Sequence, residues 1–398
     1  MLSLIQVAYM YRSTTKPELA RILNLTLPTV HNFISELVTH RIVFEDGVDD
    51  SRGGRRAVRY SFNGGLFHIL GVRVTPRRID IGLFDMLLNC ICQDQYPVNL
   101  DYFTSEEGLE LIISYIKDII TLWHINMEDM LEIGITFPGP VDYATGIILK
   151  LPNLVHWENI PAKAILEQEL GHTVLVEKDS FSNVIGLKWL NHVKPDSNVV
   201  FLAIEIGVGI GFLHHGQLYR GRNHMMGEIG HICIEPHGLL CKCGGRGCLE
   251  LYASDIGIIK RVSERVKNKE SPLLADFCKG GDSRDIDMAM ILAAEEQGDK
   301  VALTEMEFSL RYIAECIVNI IKLYDPDRII IGHRWLDRYP DMVAKIHDHI
   351  FMNSFVDKNA ISVEFNKIPN LELISAAAIV IEHQFSSTSN CKLLTILR

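Results

Sequence analysis

Gly227-Glu228-Ile229-Gly230-His231 is followed, nine residues after the histidine, by Cys241-Lys242-Cys243-Gly244-Gly245-Arg246-Gly247-Cys248-Leu249-Glu250. One imidazole and three thiols in one short stretch suit a closed, tetrahedral Zn2+ site at His231, Cys241, Cys243 and Cys248. Gly244, Gly245 and Gly247 supply the unusual dihedrals needed to wrap a small ion. The plain alternative is free thiols in a loop, but three Cys, one His and interleaved Gly rarely coincide. No Cys pair has the spacing of a redox Cys-x-x-Cys motif. With four protein donors no open position remains for catalysis, so the expected ion is structural. The other six of the nine cysteines are scattered, which argues against a disulfide framework.

On both sides of this loop, from residue 69 onward, short apolar runs alternate with longer amphipathic segments. Ile69–Val74, Ile79–Asp85, Leu131–Phe137, Thr173–Val176, Val199–Ile206 and Arg328–Ile331 have strand length. Residues 106–123 carry a helical stripe of Leu109, Ile112, Ile113, Ile116, Ile120 and Trp123, and Leu303–Leu323 and Glu372–His383 read as further helices. The class is α/β. No short repeat or low-complexity segment stands out.

The first 66 residues follow a different pattern. Residues 2–11 read as a helix, and Thr15-Lys16-Pro17-Glu18 as the capped start of a second. Asn24 and Leu25 make a turn, and Thr26 caps a third helix bearing Val30, Ile34, Leu37 and Val38. Two short helices joined by a tight turn are a helix-turn-helix. Ile42-Val43-Phe44 and Val58–Phe62 then flank a Gly/Arg loop, a hairpin wing in which Arg52, Arg55 and Arg56 suit an electronegative minor groove. Thr26, Pro28, Thr29, His31 and Asn32 open the recognition helix, with Thr29 and Asn32 the candidates for base edges. The competing reading, that these residues only cap and solvate a helix, loses ground because the wing follows directly.

Bulk properties fit this division. At 398 residues the chain exceeds one ordinary core. Residues 1–66 hold eight Lys/Arg against six Asp/Glu, so a +2 head sits on a body of −13 within a net −11. There is no apolar run of membrane-spanning length. Residues 1–12 lack a basic leader and a cleavage site, so a cytoplasmic protein without a membrane partner is expected.

The glycine- and cysteine-rich segment closely resembles the signature of the ROK family, which groups sugar kinases with sugar-responsive repressors carrying an added winged helix. The resemblance continues through Pro138-Gly139-Pro140-Val141-Asp142, Pro152-Asn153-Leu154 with Trp157, Val176-Glu177-Lys178-Asp179 and Asp325-Pro326-Asp327. It implies two actin-like (ribonuclease H-like) α/β lobes with a sugar cleft between them. The domains expected are a winged helix-turn-helix over 1–66, a first lobe over 67–190 plus 372–398, and a second over 191–371 with the zinc-stapled loop. The family's sugar contacts fall on Gly139, Lys178, Asp179, Glu228, His231 and Glu250, with Asp179 at the general-base position. In that scheme His231 gives one ring nitrogen to zinc and presents the other to a sugar hydroxyl.

The resemblance breaks where the kinases hold ATP. Their first lobe opens with a turn resembling Asp-x-Gly-Gly-Thr-Lys; here the run is Gly71-Val72-Arg73-Val74-Thr75-Pro76-Arg77-Arg78-Ile79. Arg73 cannot hold Mg2+, and Pro76 has no N–H to offer a phosphate. Glu205-Ile206-Gly207-Val208-Gly209 replaces a Gly-Thr-Gly-x-Gly loop, and His333 follows Gly332 where a second glycine is usual. No ATP and no catalytic residue are therefore expected, leaving Asp179 as a vestigial base. Lys178 stands in place of an Asn. Either it pairs with Glu177 or Asp179 and blunts sugar binding, or it selects an anionic sugar such as a sugar phosphate.

The function expected is a sugar-responsive DNA-binding regulator, a repressor by resemblance, acting as a dimer or tetramer on double-stranded DNA. Two alternatives stand beside it: an active sugar kinase with an accessory head, and a ligand-independent regulator whose body only dimerises.

Overall fold

The computed structural model describes residues 1–48, 56–151, 154, 156–278, 283–333, 335, 344, 348–352, 360–386 and 388–397. Local signals fix the N-terminal elements: α1 (Leu2–Tyr11), β1 (Ser13–Thr15), α2 (Lys16–Leu23), α3 (Leu27–Thr39), β2 (Val43–Val48) and β3 (Val58–Phe62). Thr15 caps α2, and Glu18 reaches back to the Thr15 N–H at 2.8 Å, completing a capping box. Asn24 ends α2 in the left-handed region (φ 52°), which turns the chain into α3, capped by Thr26. Leu19, Val30, Ile34 and Leu37 are buried, and a three-stranded antiparallel sheet in the order β1-β3-β2 backs the helices. This is a helix-turn-helix followed by a hairpin. The wing-tip residues Arg52, Gly53, Gly54 and Arg55 lie outside the described residues, as do Pro152 and Asn153.

The chain divides into two compact units, Met1–His192 with Asn370–Arg398, and Val193–Pro369. In the first, β4 (His68–Thr75), β5 (Arg78–Asp85), β6 (Cys90–Pro97), α4 (Ser105–Leu122) and β7 (Met130–Phe137) are followed by three short strands, β8 (Val141–Asp142), β9 (Ile147–Lys150) and β10 (Glu158–Ile160). Then come α5 (Ala162–Leu170), β11 (Val174–Lys178) and α6 (Asp179–Trp189). The main sheet runs β11-β7-β4-β5-β6, with β7 parallel to β11 and β4, and β5 antiparallel to both of its neighbours. Leu70, Val72, Ile133, Ile135, Val174 and Val176 bury one face of it against α4 and α5. The other face presents glycines.

The second unit repeats this sheet order with unrelated residues. It comprises β12 (Val199–Ile204), β13 (Val208–His214), β14 (Gln217–Leu218), α7 (Glu250–Ala253), α8 (Asp255–Lys267), α9 (Pro272–Phe277), α10 (Met288–Glu296), α11 (Lys300–Tyr324), β15 (Arg328–Gly332) and β16 (Ser362–Phe365). Its strands lie β14-β13-β12-β15-β16, with β12, β15 and β16 parallel and β13 antiparallel. The helix α11 supplies Met306, Leu310, Ile313, Ile317 and Ile320 to the core beneath. The chain then returns to the first unit as α12 (Leu371–Ser386) and ends in α13 (Lys392–Ile396). No helix among the described residues is long and apolar enough to cross a membrane.

The return is close. A Cβ on Gly134 of β7 would stand 1.9 Å from the Ala376 carbonyl oxygen and 3.0 Å from Ile379 Cγ1. Gly134→Ala is expected to destabilise the protein by roughly 3 kcal/mol, since backbone rather than a flexible side chain must move. A denaturant midpoint lowered at unchanged slope would register it; an unchanged midpoint would mean α12 does not lie against β7 as described.

Candidate functional site

The ring nitrogen of His231 and the sulfurs of Cys241, Cys243 and Cys248 all lie within 4.8 Å of one another. Cys241 Sγ is 3.7 Å from His231 Nδ1, and Cys243 Sγ is 3.6 Å from Cys248 Sγ. A tetrahedron with metal–sulfur bonds of ~2.3 Å and a metal–nitrogen bond of ~2.0 Å has edges of ~3.5–3.8 Å, so the set fits one ion. The sulfur separation is far too long for a disulfide.

Local backbone builds this cage. His231 closes a 3-10 turn over Ile229–His231, and Cys248 lies one residue before Leu249, the cap of α7. Isolated bridges Cys233↔Cys248 and Leu240↔Arg246 draw the strands of the loop together, and the Cys241 N–H donates to the Gly245 carbonyl at 2.8 Å. Gly247 is obligatory: its φ is 64°, and a Cβ there would come 1.7 Å from the Glu235 oxygen. Burial pushes the Cys241 and Cys248 thiols up. Burial acts on Cys243 in the same sense, but the Gly245 N–H and the neighbouring thiols bring it down. Metal binding must release these protons, so affinity falls as pH falls.

With Nδ1 facing the sulfurs, His231 Nε2 faces Glu228, 3.9 Å from its carboxylate. Glu250 opens α7, two residues beyond Cys248. Three expected effector residues of the second unit thus hang on the metal loop. In the first unit, Gly139 follows β7, and Lys178 and Asp179 follow from β11, the parallel neighbour, with Lys178 paired in register to Phe137. These are the C-terminal ends of adjacent parallel strands, where α/β sheets place ligands. Asp179 begins α6, and its Oδ1 accepts the Ser180 N–H at 2.6 Å. Lys178 is 3% exposed, with its ammonium 5.1 Å from the centre of the Phe181 ring.

The turn over Thr75–Arg78 is closed on itself. Arg73 is paired across the hairpin with Asp80, and their charged atoms lie 3.6 Å apart, both nearly buried. Arg78 approaches the same carboxylate at 2.7 Å. The Thr75 hydroxyl donates to the Arg78 carbonyl and accepts its N–H, while Pro76 and Arg77 carbonyls accept from Leu100 and Val98. In the second unit, the His333 ring meets Trp335 edge-on at 4.1 Å, and Trp335 Nε1 donates to Asp255 at 3.0 Å. The sequence reading found Arg73 and His333 but not their partners Asp80, Arg78, Trp335 and Asp255. Only Asp80 had a local signal, since a two-residue turn at Pro76-Arg77 pairs it with Arg73.

On α3, Thr26, Pro28, His31 and Asn32 are exposed and Thr29 is half-buried, while Val30 and Ile34 face inward. The hydroxyls of Thr26 and Thr29 are 2.8 Å apart, and Lys16 Nζ from α2 lies 3.0 Å from His31 Nδ1. Arg56 is exposed, whereas Arg59 donates to both Ser13 Oγ and the Ser13 carbonyl and so belongs to the sheet.

The profile of the ROK family matches residues 70–368. The chain belongs to the ROK family. The xylose repressor of Bacillus subtilis (strain 168) is 26% identical over 374 residues, covering 93% of this chain and 91% of its own. A glucokinase of Thermotoga maritima is 33% identical over 227 residues, covering 57% of this chain and 71% of its own, so the shared body occurs in kinases as well. A crystal structure described as a ROK family transcriptional regulator, homologous to the E. coli MLC protein, superposes with a TM-score of 0.75 at 23% identity, over 96% of this chain and 94% of that one. That likeness shows the α/β fold.

Cys243→Ser removes one donor without a buried cavity, since Cys243 is exposed. Metal analysis of the purified variant is expected to find well under one ion per chain, against about one for the unaltered protein. Equal metal content in the two would exclude this loop as the site.

Proposed function

We propose that this chain is a sugar-responsive DNA-binding transcriptional repressor, with a winged helix-turn-helix head over residues 1–66 and a kinase-like body that has kept an effector site and lost phosphate chemistry. The observation that carries the reading is α3: a capped helix with one face in the head's core and the face bearing Thr26, Pro28, His31 and Asn32 in solvent. Asn32 suits bidentate pairing with adenine in the major groove. Thr29 keeps acceptor capacity beyond its contact with Thr26. Lys16 and the wing arginines Arg52, Arg55 and Arg56 supply phosphate and minor-groove contacts. Relatives named as repressors align along almost the whole chain, head included.

The body binds its effector through Gly139, Lys178, Asp179, Glu228, His231 and Glu250. Paired carboxylates orient sugar hydroxyls, and Asp179 serves as a binding group rather than a base. ATP has no place at the first turn, where two guanidiniums already share Asp80 and Pro76 offers no donor. The His333–Trp335–Asp255 group supports the same conclusion for the adenosine end. A structural Zn2+ would join His231 to the three cysteines and fix the angle at which its second nitrogen meets a ligand. The working form is a homo-oligomer on a pseudo-palindromic duplex, as a single small head binds weakly.

Selection of bound duplexes from random DNA is expected to return a two-part site. Asn32→Ala should weaken binding to it by about 1–3 kcal/mol and relax one base position. Release of ADP from ATP should be absent across a panel of hexoses and pentoses. Turnover with any of them would overturn the regulator reading, as would failure to enrich any duplex.

A further inference from the structure

The head is seated on the first lobe by an aromatic cluster that none of the roles above uses. Tyr9 of α1 is fully buried. Its ring stands edge-on to Phe62 of β3 at 5.2 Å, to Trp189 at the end of α6 at 5.5 Å, and to Phe385 near the end of α12 at 5.4 Å. Trp189 and Phe385 stack on each other at 5.2 Å and 25°. Polar ties surround the rings. Arg12, held at φ 59°, donates to the Trp189 carbonyl at 3.3 Å, and its guanidinium lies 4.8 Å over the Tyr9 ring. The Asn191 side-chain amide donates to the Met10 carbonyl. Trp189 Nε1 donates to Glu382 at 2.6 Å, a tie that lies wholly on the lobe's side of the joint. A second seat lies behind β3, where the Met86 N–H donates to the Gly64 carbonyl and a Cβ on Gly64 would meet Leu87 at 2.8 Å.

A DNA head on a slack linker would need none of this. Edge-to-face rings have directional preferences, and the flanking hydrogen bonds fix the remaining rotation. We propose that Tyr9, Arg12, Trp189, Asn191 and Phe385 are positioning residues that hold α3 at one angle to the first lobe, so that two heads in an oligomer reach only half-sites of one spacing. The inference rests on the reading of the chain as a DNA-binding regulator. It adds that geometry, not the head alone, selects the operator.

The test uses the full-length protein. Phe385→Ala thins the lobe's side of the joint and leaves the Tyr9–Phe62 contact within the head. Asn191→Gly removes one polar tie only, and glycine accepts its left-handed backbone (φ 61°). In selection from random duplexes, the unaltered protein is expected to enrich paired half-sites at a single spacing. Both variants should enrich the same half-site sequence at several spacings. In hydrogen exchange, amides of α1 through β3 should open about ten-fold faster in Phe385→Ala, with β4 and β7 unchanged. A single spacing retained by both variants, or unchanged exchange in the head, overturns the joint. If β4 and β7 also loosen, Phe385→Ala has weakened the whole lobe, and the spacing read from Asn191→Gly decides. If the unaltered protein enriches no duplex while exchange changes as expected, the regulator reading fails and the joint stands.

Discussion

The first lobe depends on how closely α12 lies against its sheet. The helix crosses the strands where Gly71 and Gly134 have no side chain: added Cβ atoms would stand 3.0 Å from the Ala377 nitrogen and 1.9 Å from the Ala376 oxygen. On its flank, α6 offers Gly186, where a Cβ would meet Ser375 Oγ at 2.2 Å. The helix answers with Ala376, Ala377 and Ala378, all fully buried. Small residues on both sides let backbones approach at a distance no larger side chain allows. These contacts join residues 189 to 306 positions apart, so the lobe closes only when the C-terminal segment arrives. The same helix then carries Glu382 and Phe385 to the seat of the head.

A second constraint is electrostatic. A buried guanidinium is tolerated when a carboxylate and hydrogen bonds replace its water. Arg73 meets that condition through Asp80, its cross-strand partner, and Arg78 completes the group. The turn thereby carries its own counter-charge. Mg2+ and phosphate would have to displace an internal pair already held in low dielectric, which is a steeper requirement than entering an open cradle. In the reading proposed above, Arg73 would do more than remove a metal ligand: together with Arg78 and Asp80 it would occupy the turn itself.

Much of this was legible in the sequence because it is written locally. Thr15, Pro17 and Glu18 mark the start of α2, and Asn24 and Thr26 its turn into α3. The strands read from residue 69 onward overlap β4, β5, β7, β11, β12 and β15, with boundaries differing by at most two residues. The clustering of His231, Cys241, Cys243 and Cys248 is legible for the same reason, since their close spacing in the chain brings them together in space. What escaped was written in tertiary contacts. The residues of α6 are buried almost all round and mix Ser, Asn and Gly with apolar side chains, so no stripe marks them as a helix. The edge strand β6 is largely exposed and polar, with only Cys92 and Tyr96 of one face packed against the core, which leaves a weak strand signature. Trp335 and Asp255 meet from distant parts of the chain, and nothing near either one announces the other.

In the proposed regulator, the loop that carries His231, Cys241, Cys243 and Cys248 would connect these constraints to function through one imidazole. A histidine has two nitrogens, and fixing one determines what the other can do. With Nδ1 among the sulfurs, Nε2 is left facing Glu228. In the proposed regulator, any effector hydroxyl that bonds to Nε2 is read by a group whose orientation the ion sets. Binding at one nitrogen then affects binding at the other by the same factor in both directions. In that reading an ion on Nδ1 and an effector on Nε2 would share one imidazole, so occupancy of the metal site would enter the affinity for the effector although the ion performs no chemistry.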